Sequence, residues 1–162
     1  MGRCARTVGL PKQKVSLEMT IAGILKHKGF NVTTVTPGMT IAEVAQVLAS
    51  KRIGAVLVLD SAGQLLGILS ERDIVACLAE NGPRTLEMTA AQLMTAEVQT
   101  ASPRMTVDEA MGLMTAGRFR HIPVVDEGRL VGLVSIGDVV KAKISDAEQE
   151  VDSLRAYVAG AA

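Results

Sequence analysis

The 162-residue sequence has almost no aromatic residues: Phe, Tyr and Trp together make up 2% of it, and Trp is absent. A core must therefore be built from aliphatic side chains and methionine, and there is no aromatic platform on which nucleic-acid bases could stack. An excess of one charge is also missing, because 17 Lys and Arg residues balance 17 Asp and Glu residues. Both deficits argue against a nucleic-acid-binding protein.

Cysteine is equally scarce. Cys4 and Cys77 belong to no CxxC or Cys/His cluster, and His27 and His121 lie far apart, so the sequence suggests neither a disulfide framework nor a metal site. No apolar run reaches membrane-spanning length, and residues 1–18 lack the apolar segment of a signal peptide. We therefore expect a cytoplasmic protein without membrane contacts, in which residues 1–18 form a tail, with disorder as one option.

What the sequence does contain is an internal duplication. MTIAEVAQVLASKRIGAVLVLD at residues 39–60 aligns with MTVDEAMGLMTAGRFRHIPVVD at residues 105–126. GQLLGILSERDIV at residues 63–75 then aligns with GRLVGLVSIGDVV at residues 128–140. The landmarks that recur include Arg52 and Arg118, Gly67 and Gly132, Ser70 and Ser135, and Asp73 and Asp138.

Each copy predicts the same order of elements. Thr40 with Glu43, and Thr106 with Glu109, have the spacing of a capping box at the start of a helix. The apolar runs AVLVL and IPVV then predict buried strands, and a Gly-containing turn leads to a second strand, QLLGIL or RLVGLV. A second helix is predicted to begin at Ser70 in the first copy and at Ser135 in the second. Short strands at VTTV, residues 32–35, and VQTA, residues 98–101, complete a β-α-β-β-α unit in each copy.

One such unit buries little surface, so we expect an α+β fold in which the two units pack sheet to sheet about a pseudo-twofold axis. The first unit covers residues 19–82, including a helix near residues 20–28, and the second covers residues 83–145 with the linker. Residues 146–162 are predicted to form a C-terminal helix. Its apolar stripe from Ile144 spans only about two heptads, which favours docking onto the body or a dimer mate over a coiled coil.

Two tandem units that each end in Gly-hydrophobic-hydrophobic-Ser-x-x-Asp resemble a cystathionine-β-synthase (CBS) domain pair, also called a Bateman module. The resemblance covers roughly residues 20–145 and is closest to the stand-alone bacterial type. It implies a regulatory module that binds adenine nucleotides or related adenosyl ligands in clefts between the copies, usually as a flat homodimer. The duplication makes the match specific, because one such motif alone would be weak.

The residues alone leave two interpretations of Ser70 with Asp73 and of Ser135 with Asp138. Ser followed three residues later by an acid is close to a capping box, and an acid in the first turn suits the helix dipole. A helix start also accepts phosphate, and a carboxylate can accept two hydrogen bonds from a ribose diol. With the resemblance, we expect Asp73 and Asp138 to bind ribose and the two serines to lie near phosphate or ribose.

The resemblance also implies a wall for each adenine at the start of the central strands. Gly54, Ala55 and Val56 would face the ligand held by Asp138, and Arg120, His121 and Ile122 the ligand held by Asp73. We expect unequal clefts, with Arg118, Arg120 and His121 making the Asp138 cleft better suited to phosphates. The alternative is that these are solvated residues at a strand edge.

Two further features have structural explanations. Lys26, His27 and Lys28 suit a helix C-terminus capped by Gly29, which we prefer to a phosphate-binding role. Pro123 removes a backbone donor, which predicts that its strand lies at a sheet edge or begins late.

The leading functional hypothesis is therefore a sensor of AMP, ADP, ATP or NAD(H) that signals to an unidentified partner protein and carries no catalytic residues or catalytic cofactor. One alternative is a structural interaction protein with vestigial clefts, and another is a sensor of S-adenosylmethionine. An enzyme is disfavoured, because the sequence offers no paired catalytic acids and no activated nucleophile. The units also leave no room for a catalytic barrel of about 250 residues.

Overall fold

The structure, a computed structural model, describes residues 19–160. The tail expected at residues 1–18 lies outside the described residues. The helices are α1 (Ile21–Lys28), α2 (Ile41–Lys51), α3 (Glu71–Asn81), α4 (Ala90–Leu93), α5 (Val107–Gly117) and α6 (Ile136–Gly160), with a 3-10 helix at Gly82–Glu87. The strands are β1 (Thr34–Val35), β2 (Ala55–Leu59), β3 (Leu65–Ser70), β4 (His121–Asp126) and β5 (Arg129–Ser135).

The duplicated α-β-β-α arrangement is confirmed in both copies. In the first, β1 pairs parallel with β2 and β2 pairs antiparallel with β3; in the second, β4 pairs antiparallel with β5. The two sheets pack together, and each repeat has its own aliphatic cluster. The capping boxes that start α2 and α5 form as predicted, with the amides of Thr40 and Thr106 donating to Glu43 and Glu109 at 2.8 and 2.9 Å.

The prediction of a strand at residues 98–101 is wrong, and Pro123 explains why no strand forms there. In the first repeat, the amide of Leu57 donates to the carbonyl of Thr33 at 3.2 Å and holds β1 in the sheet. Pro123 is the equivalent of Leu57 and has no N–H, so the second repeat retains only an isolated bridge between Ala101 and Val124. The prediction of an edge position for β4 is confirmed, whereas β4 begins before Pro123 rather than after it.

The segment that precedes each repeat packs on the other repeat. The amide of Ile21 in α1 donates to Met105 in the second repeat at 2.9 Å, and the amide of Ala90 in α4 donates to Met39 in the first at 2.8 Å. Ile21 and Leu25 are buried in the second core and Ala90 in the first. In the fold, α1 therefore packs in the core of the second repeat and α4 in that of the first, although the sequence places α1 ahead of residues 39–75 and α4 ahead of residues 105–140.

This exchange depends on two glycines of the repeated motifs. A Cβ atom on Gly132 in β5 would lie 2.6 Å from Cδ2 of Leu25, and one on Gly67 in β3 would lie 2.6 Å from Sδ of Met94. Any larger residue would collide with the segment that arrives from the other repeat. The glycines thus tie the two repeats into one packed unit.

The last helix differs from the prediction of a separate C-terminal helix at residues 146–162. α6 runs without a break from Ile136 to Gly160, so the last helix of the second repeat and the C-terminal segment are one element. Val139 is fully buried, but every residue from 147 to 160 is exposed. Docking of this segment onto the described body of its own chain, residues 19–146, was one of the two expectations and does not occur.

Candidate functional site

Both Ser-x-x-Asp motifs form helix caps. The amide and hydroxyl of Ser70 donate to Oδ2 of Asp73 at 2.8 and 2.7 Å, and the Asp73 amide donates to Ser70 Oγ at 3.3 Å. Ser135 and Asp138 form the same three hydrogen bonds at 2.8, 2.9 and 3.2 Å. The capping interpretation is confirmed. In each motif Oδ1 receives no hydrogen bond from any described residue, so it could accept one from a ligand.

One cavity of about 450 Å³ lies beside the first cap and is lined by both repeats. Its volume falls within the range of small-molecule sites. The first repeat contributes the β3–α3 junction at residues 70–73, and the second contributes residues 118–121, which lead into β4. We call it the Asp73 cavity; its remaining lining residues are Gly54, Ile68, Val75, Thr95, Glu97, Val98 and Gln99.

The cavity gathers six of the predicted site residues, namely Gly54, Ser70, Asp73, Arg118, Arg120 and His121. Ala55, Val56 and Ile122 do not line it, because they are buried strand residues that are at most 3% exposed. Ser135 and Asp138 lie at the other cap, outside this cavity. The structure thus places residues from the start of β4 beside Asp73, as the resemblance implied.

Three arginines line the Asp73 cavity. Arg72 Nη1 donates to the carbonyl of Arg118 at 3.4 Å, a contact between the repeats. Arg118 ends α5 in the left-handed conformation, with φ of 54°, and turns the chain toward Arg120. Within residues 19–160, none of the three arginines forms an ion pair. Arg118 and Arg120, which we expected to favour phosphates in the Asp138 cleft, thus line the Asp73 cavity in this structure.

His121 lies between the two caps. A Cβ atom on Gly54 would be 3.3 Å from Cε1 of His121, so the ring fits against the first repeat because this residue is a glycine. Burial lowers the pKa of His121 below its usual value, and nearby Lys28 adds to the effect, while Asp138 and Glu71 oppose it. The imidazole is therefore neutral at pH 7 and can pack against an uncharged ring.

Asp138 has an ion-pair partner, whereas Asp73 has none among residues 19–160. Nζ of Lys28 donates to Oδ2 of Asp138 at 2.5 Å and to the carbonyl of Leu133 at 3.0 Å. Burial raises the pKa of Asp138, but the hydrogen bonds from Lys28 and Ser135 outweigh it and hold the pKa below its usual value. The carboxylate is thus ionised and already neutralised by a lysine from α1.

Lys28 and Arg72 are site residues that the sequence analysis missed. Lys28 was explained by the helix C-terminus alone, and the exchange of α1 between repeats is what brings it to Asp138. The sequence analysis assigns no role to Arg72. Its position between Ser70 and Asp73 in the motif was the available signal, because a residue in the first turn after a cap lies near whatever the cap faces.

Comparison with known proteins identifies the family. The sequence profile of the CBS domain matches residues 24–80 and again residues 90–145. The chain belongs to the CBS-domain family. It is 33% identical over 149 residues to the mitochondrial CBS domain-containing protein CBSX3 of Arabidopsis thaliana, covering 87% of this chain and 72% of that protein. A solved CBS-domain protein from Agrobacterium tumefaciens is 42% identical, with a TM-score of 0.76, covering 83% of this chain and 99% of its own.

Two further CBS structures contain adenosyl ligands. A CBS domain protein from Pyrobaculum aerophilum, solved with AMP, is 27% identical with a TM-score of 0.66 and covers 74% of this chain and 89% of its own. The CBS domain pair of protein MJ0100, solved with 5′-methylthioadenosine and S-adenosyl-L-methionine, is 28% identical with a TM-score of 0.70; the coverage is 78% and 97%. The CBS pair described here is therefore similar to proteins that bind adenosyl compounds.

The described residues contain neither a membrane-spanning helix nor a cluster of metal ligands. Among residues 19–160, no helix has both the length and the apolar character needed to cross a bilayer. In the same range, no group of three or more His, Cys, Asp or Glu side chains is placed to hold a metal ion.

Proposed function

We propose that this CBS pair is a non-catalytic regulatory module that binds an adenine nucleotide in the Asp73 cavity. Binding would change the relative position of the two repeats and so signal to a partner protein. One observation carries the proposal. The same cavity is lined by Asp73, whose Oδ1 receives no hydrogen bond within residues 19–160, and by two arginines of the second repeat that form no ion pair within that range. A ribose diol suits the carboxylate and a phosphate suits the arginines.

The proposed ligand would lie across the two repeats. Its adenine would stack near His121 and Gly54, its ribose would meet Asp73, and its phosphates would meet Arg118 and Arg120. Because these groups come from both repeats, a ligand stabilises the arrangement in which they stand close together, and so shifts the population of conformers that a partner sees. The second cleft, where Lys28 occupies Asp138, would bind more weakly.

Binding without chemistry fits the arrangement of the polar groups. The hydroxyl of Ser70 donates to Asp73 within a cap, and the ring of His121 lies against Gly54. Neither hydroxyl nor imidazole is thus arranged as a nucleophile beside its base.

We also propose that the module works as a homodimer in the cytoplasm. The alternative of vestigial clefts is less consistent with a cavity in which, within residues 19–160, a carboxylate oxygen receives no hydrogen bond and the arginines form no ion pair.

A sensor of S-adenosylmethionine remains a second candidate, supported by the acidic side of the cavity. Glu71 and Glu97 line it together with Asp73, and they could receive the sulfonium and amino groups of that ligand. AMP, ADP, ATP and NAD(H) instead require the arginines. Comparing these ligands therefore separates the two candidates.

The test is thermal melting of the full chain with AMP, ADP, ATP, NAD, NADH and S-adenosylmethionine in turn. A ligand at a hundred times its dissociation constant should stabilise the fold by about 2.7 kcal/mol, which corresponds to roughly 5–10 °C. Asp73→Ala should abolish the shift, and Asp138→Ala should leave most of it.

A matched control allows for the lost cap. Asp73→Ala removes a capping-box carboxylate and should lower stability by about 0.5–2 kcal/mol. Glu109→Ala removes the equivalent carboxylate of α5, which does not line the cavity, so it should cost a similar amount and retain the ligand shift. If no ligand shifts the melting temperature, the proposed sensor function is refuted. If a shift survives Asp73→Ala, the assignment of the site to the Asp73 cavity is refuted.

A further inference from the structure

The C-terminal half of α6 extends beyond the body of the molecule. α6 packs against α5, β5 and α1 through its first turns, where Val139 is fully buried. From residue 147 to residue 160 every position is exposed, although the segment is continuous helix. A helix of this kind gains little stability from its own propensity and usually needs a partner for its apolar side.

That apolar side is a regular stripe. Val140, Ile144, Val151, Leu154 and Val158 are between 44% and 70% exposed, and Ala147 lies between them. Their spacings are four, three, four, three and four residues, the pattern of a heptad seam. The stripe begins at Val140 on the packed part of α6, so it spans about three heptads, the shortest length that favours a coiled coil. We call these six residues the α6 stripe.

We propose that the α6 stripe binds the same stripe of a second copy of this chain, with the two helices parallel and in register. The inference deepens the homodimer named in the proposed function. In heptad terms Ile144, Val151 and Val158 occupy a positions, and Val140, Ala147 and Leu154 occupy d positions. Within a parallel coiled coil, β-branched residues at the a positions with leucine at a d position, here Leu154, favour two strands.

The charges beside the stripe support the same occupant. In a parallel pair, each g position faces the e position five residues further along the other helix. Lys143 would then face Glu148 of the second copy, and Glu150 would face Arg155 of the second copy. Symmetry repeats both pairs, so all of these charged contacts are attractive. Lys143 already binds Asp108 of its own chain at 2.8 Å, and it retains donors for a further carboxylate.

The opposite orientation brings like charges together. An antiparallel pair that overlaps the whole stripe sets Val140 against Val158 of the second copy. Its flanks then place Glu148 against its own counterpart, Glu150 against its own counterpart, and Lys141 against Arg155. Each of these contacts is repulsive, so the charge pattern selects the parallel orientation. If the stripe bound a different protein, the charges of α6 would have no reason to complement those of another copy of α6.

Oligomeric state tests the surface. Sedimentation equilibrium of the full chain should show a dimer, and Leu154→Glu, which places a carboxylate in the seam, should raise its dissociation constant by about tenfold or more. Gln149→Glu adds the same charge on the outer face of the helix and should leave the dimer intact. Both positions are exposed in the single chain, so neither change should alter its melting as a monomer.

Disulfide trapping tests the orientation. In a chain carrying Cys4→Ser, so that buried Cys77 is the remaining native thiol, Leu154→Cys should form a disulfide-linked dimer under mild oxidation, because parallel d positions face each other. Ser153→Cys, on the outer side, should not. A crosslink between Leu154→Cys and Ile144→Cys chains, without one between two Leu154→Cys chains, would establish the antiparallel pair and overturn the proposal.

The outcomes separate this inference from the proposed function. A monomeric wild-type chain, or a dimer that Leu154→Glu leaves unchanged, would overturn the α6 interface whether or not nucleotides bind. Ligand-dependent melting of the same variants reports on the Asp73 cavity alone. A chain that dimerises through α6 without binding any nucleotide would retain the interface and lose the sensor function.

Discussion

Nζ of Lys28 donates to Oδ2 of Asp138 at 2.5 Å, whereas Asp73, the equivalent carboxylate of the first repeat, has no ion-pair partner among residues 19–160. The lysine lies on α1, which precedes the first repeat in the sequence but packs on the second. The two clefts of the duplicated fold thus differ because the exchanged segments differ: Glu97, from the segment that packs on the first repeat, lines the Asp73 cavity.

Removing this lysine should make stability depend less on pH. Lys28→Met leaves Asp138 without its cation, so we expect a loss of at most about 1 kcal/mol at pH 7, since the pair is partly exposed. The folded-state pKa of Asp138 lies below its ordinary value of 3.8, so the contribution is present above that pH and is lost as the pH falls through the lower folded value.

Urea unfolding of wild type and Lys28→Met at pH 7 and below pH 3.8 measures the difference. Lys26→Met, at an exposed position on the same helix, is the control. An equal loss at both pH values would mean that the lysine acts through packing of its methylene chain and not through Asp138.

His121 should make the fold less stable in weak acid. Its folded pKa is lowered, chiefly by burial, so the unfolded chain binds the proton more readily than the fold does. Stability is then highest above the unfolded pKa near 6.5 and falls as the pH drops through that value, by at most about 1.4 kcal/mol per pH unit. Unfolding free energies between pH 7.5 and 5.5 should show this slope in wild type and a smaller one in His121→Gln. Replacement of exposed His27 by Gln is the control; if both changes alter the slope equally, His121 is not its source.

Much of the fold follows from local patterns, and what does not follow depends on contacts between distant segments. Several elements form where residue spacing predicts them: the capping boxes at Thr40 and Thr106, strand β2, and the helix caps at Ser70 and Ser135. Each depends only on residues a few positions apart. Pro123 was correctly linked to a sheet edge, but its effect on residues 98–101 needed the register of the sheet, which one strand alone does not reveal.

The repeated motifs and the family resemblance predicted part of the site, and the residues that the exchange of segments brings to it were missed. The resemblance to CBS domain pairs implied that Asp73 would lie with Arg120 and His121, and these residues line one cavity. Lys28 contacts Asp138 because α1 packs on the second repeat, although the first repeat follows it in the sequence. The amphipathic pattern of a helix does not specify which of two similar cores the helix covers. The repeated Met-Thr dipeptide before Ile21 and before Ala90 was the one local signal of the exchange.

Gly67→Ala should destabilise the CBS pair by about 1–3 kcal/mol, because overpacking a filled site forces neighbours to move. The new Cβ would lie 2.6 Å from Sδ of Met94 and 2.8 Å from the carbonyl of Thr95, which holds the exchanged segment to β3. Gly112→Ala is the matched control, since nothing lies within 4 Å of its Cβ position in α5. It should be neutral or stabilise the helix by up to about 1 kcal/mol. Thermal melting compares the two, and equal stability would contradict the close packing of the exchange.

Arg120 should discriminate between ligands by their phosphates. It lines the Asp73 cavity without an ion-pair partner in residues 19–160, so a bound phosphate would be its main charged contact. A hydrogen bond to a charged group contributes about 1.5–3 kcal/mol, so Arg120→Ala should weaken AMP binding by about 10- to 100-fold and leave adenosine binding nearly unchanged. Calorimetric titration of both ligands measures the two effects. Arg104→Ala, an exposed arginine that does not line the cavity, should change neither. Equal losses for AMP and adenosine would mean that Arg120 supports the shape of the cavity, and the phosphates would then be assigned to Arg72 or Arg118.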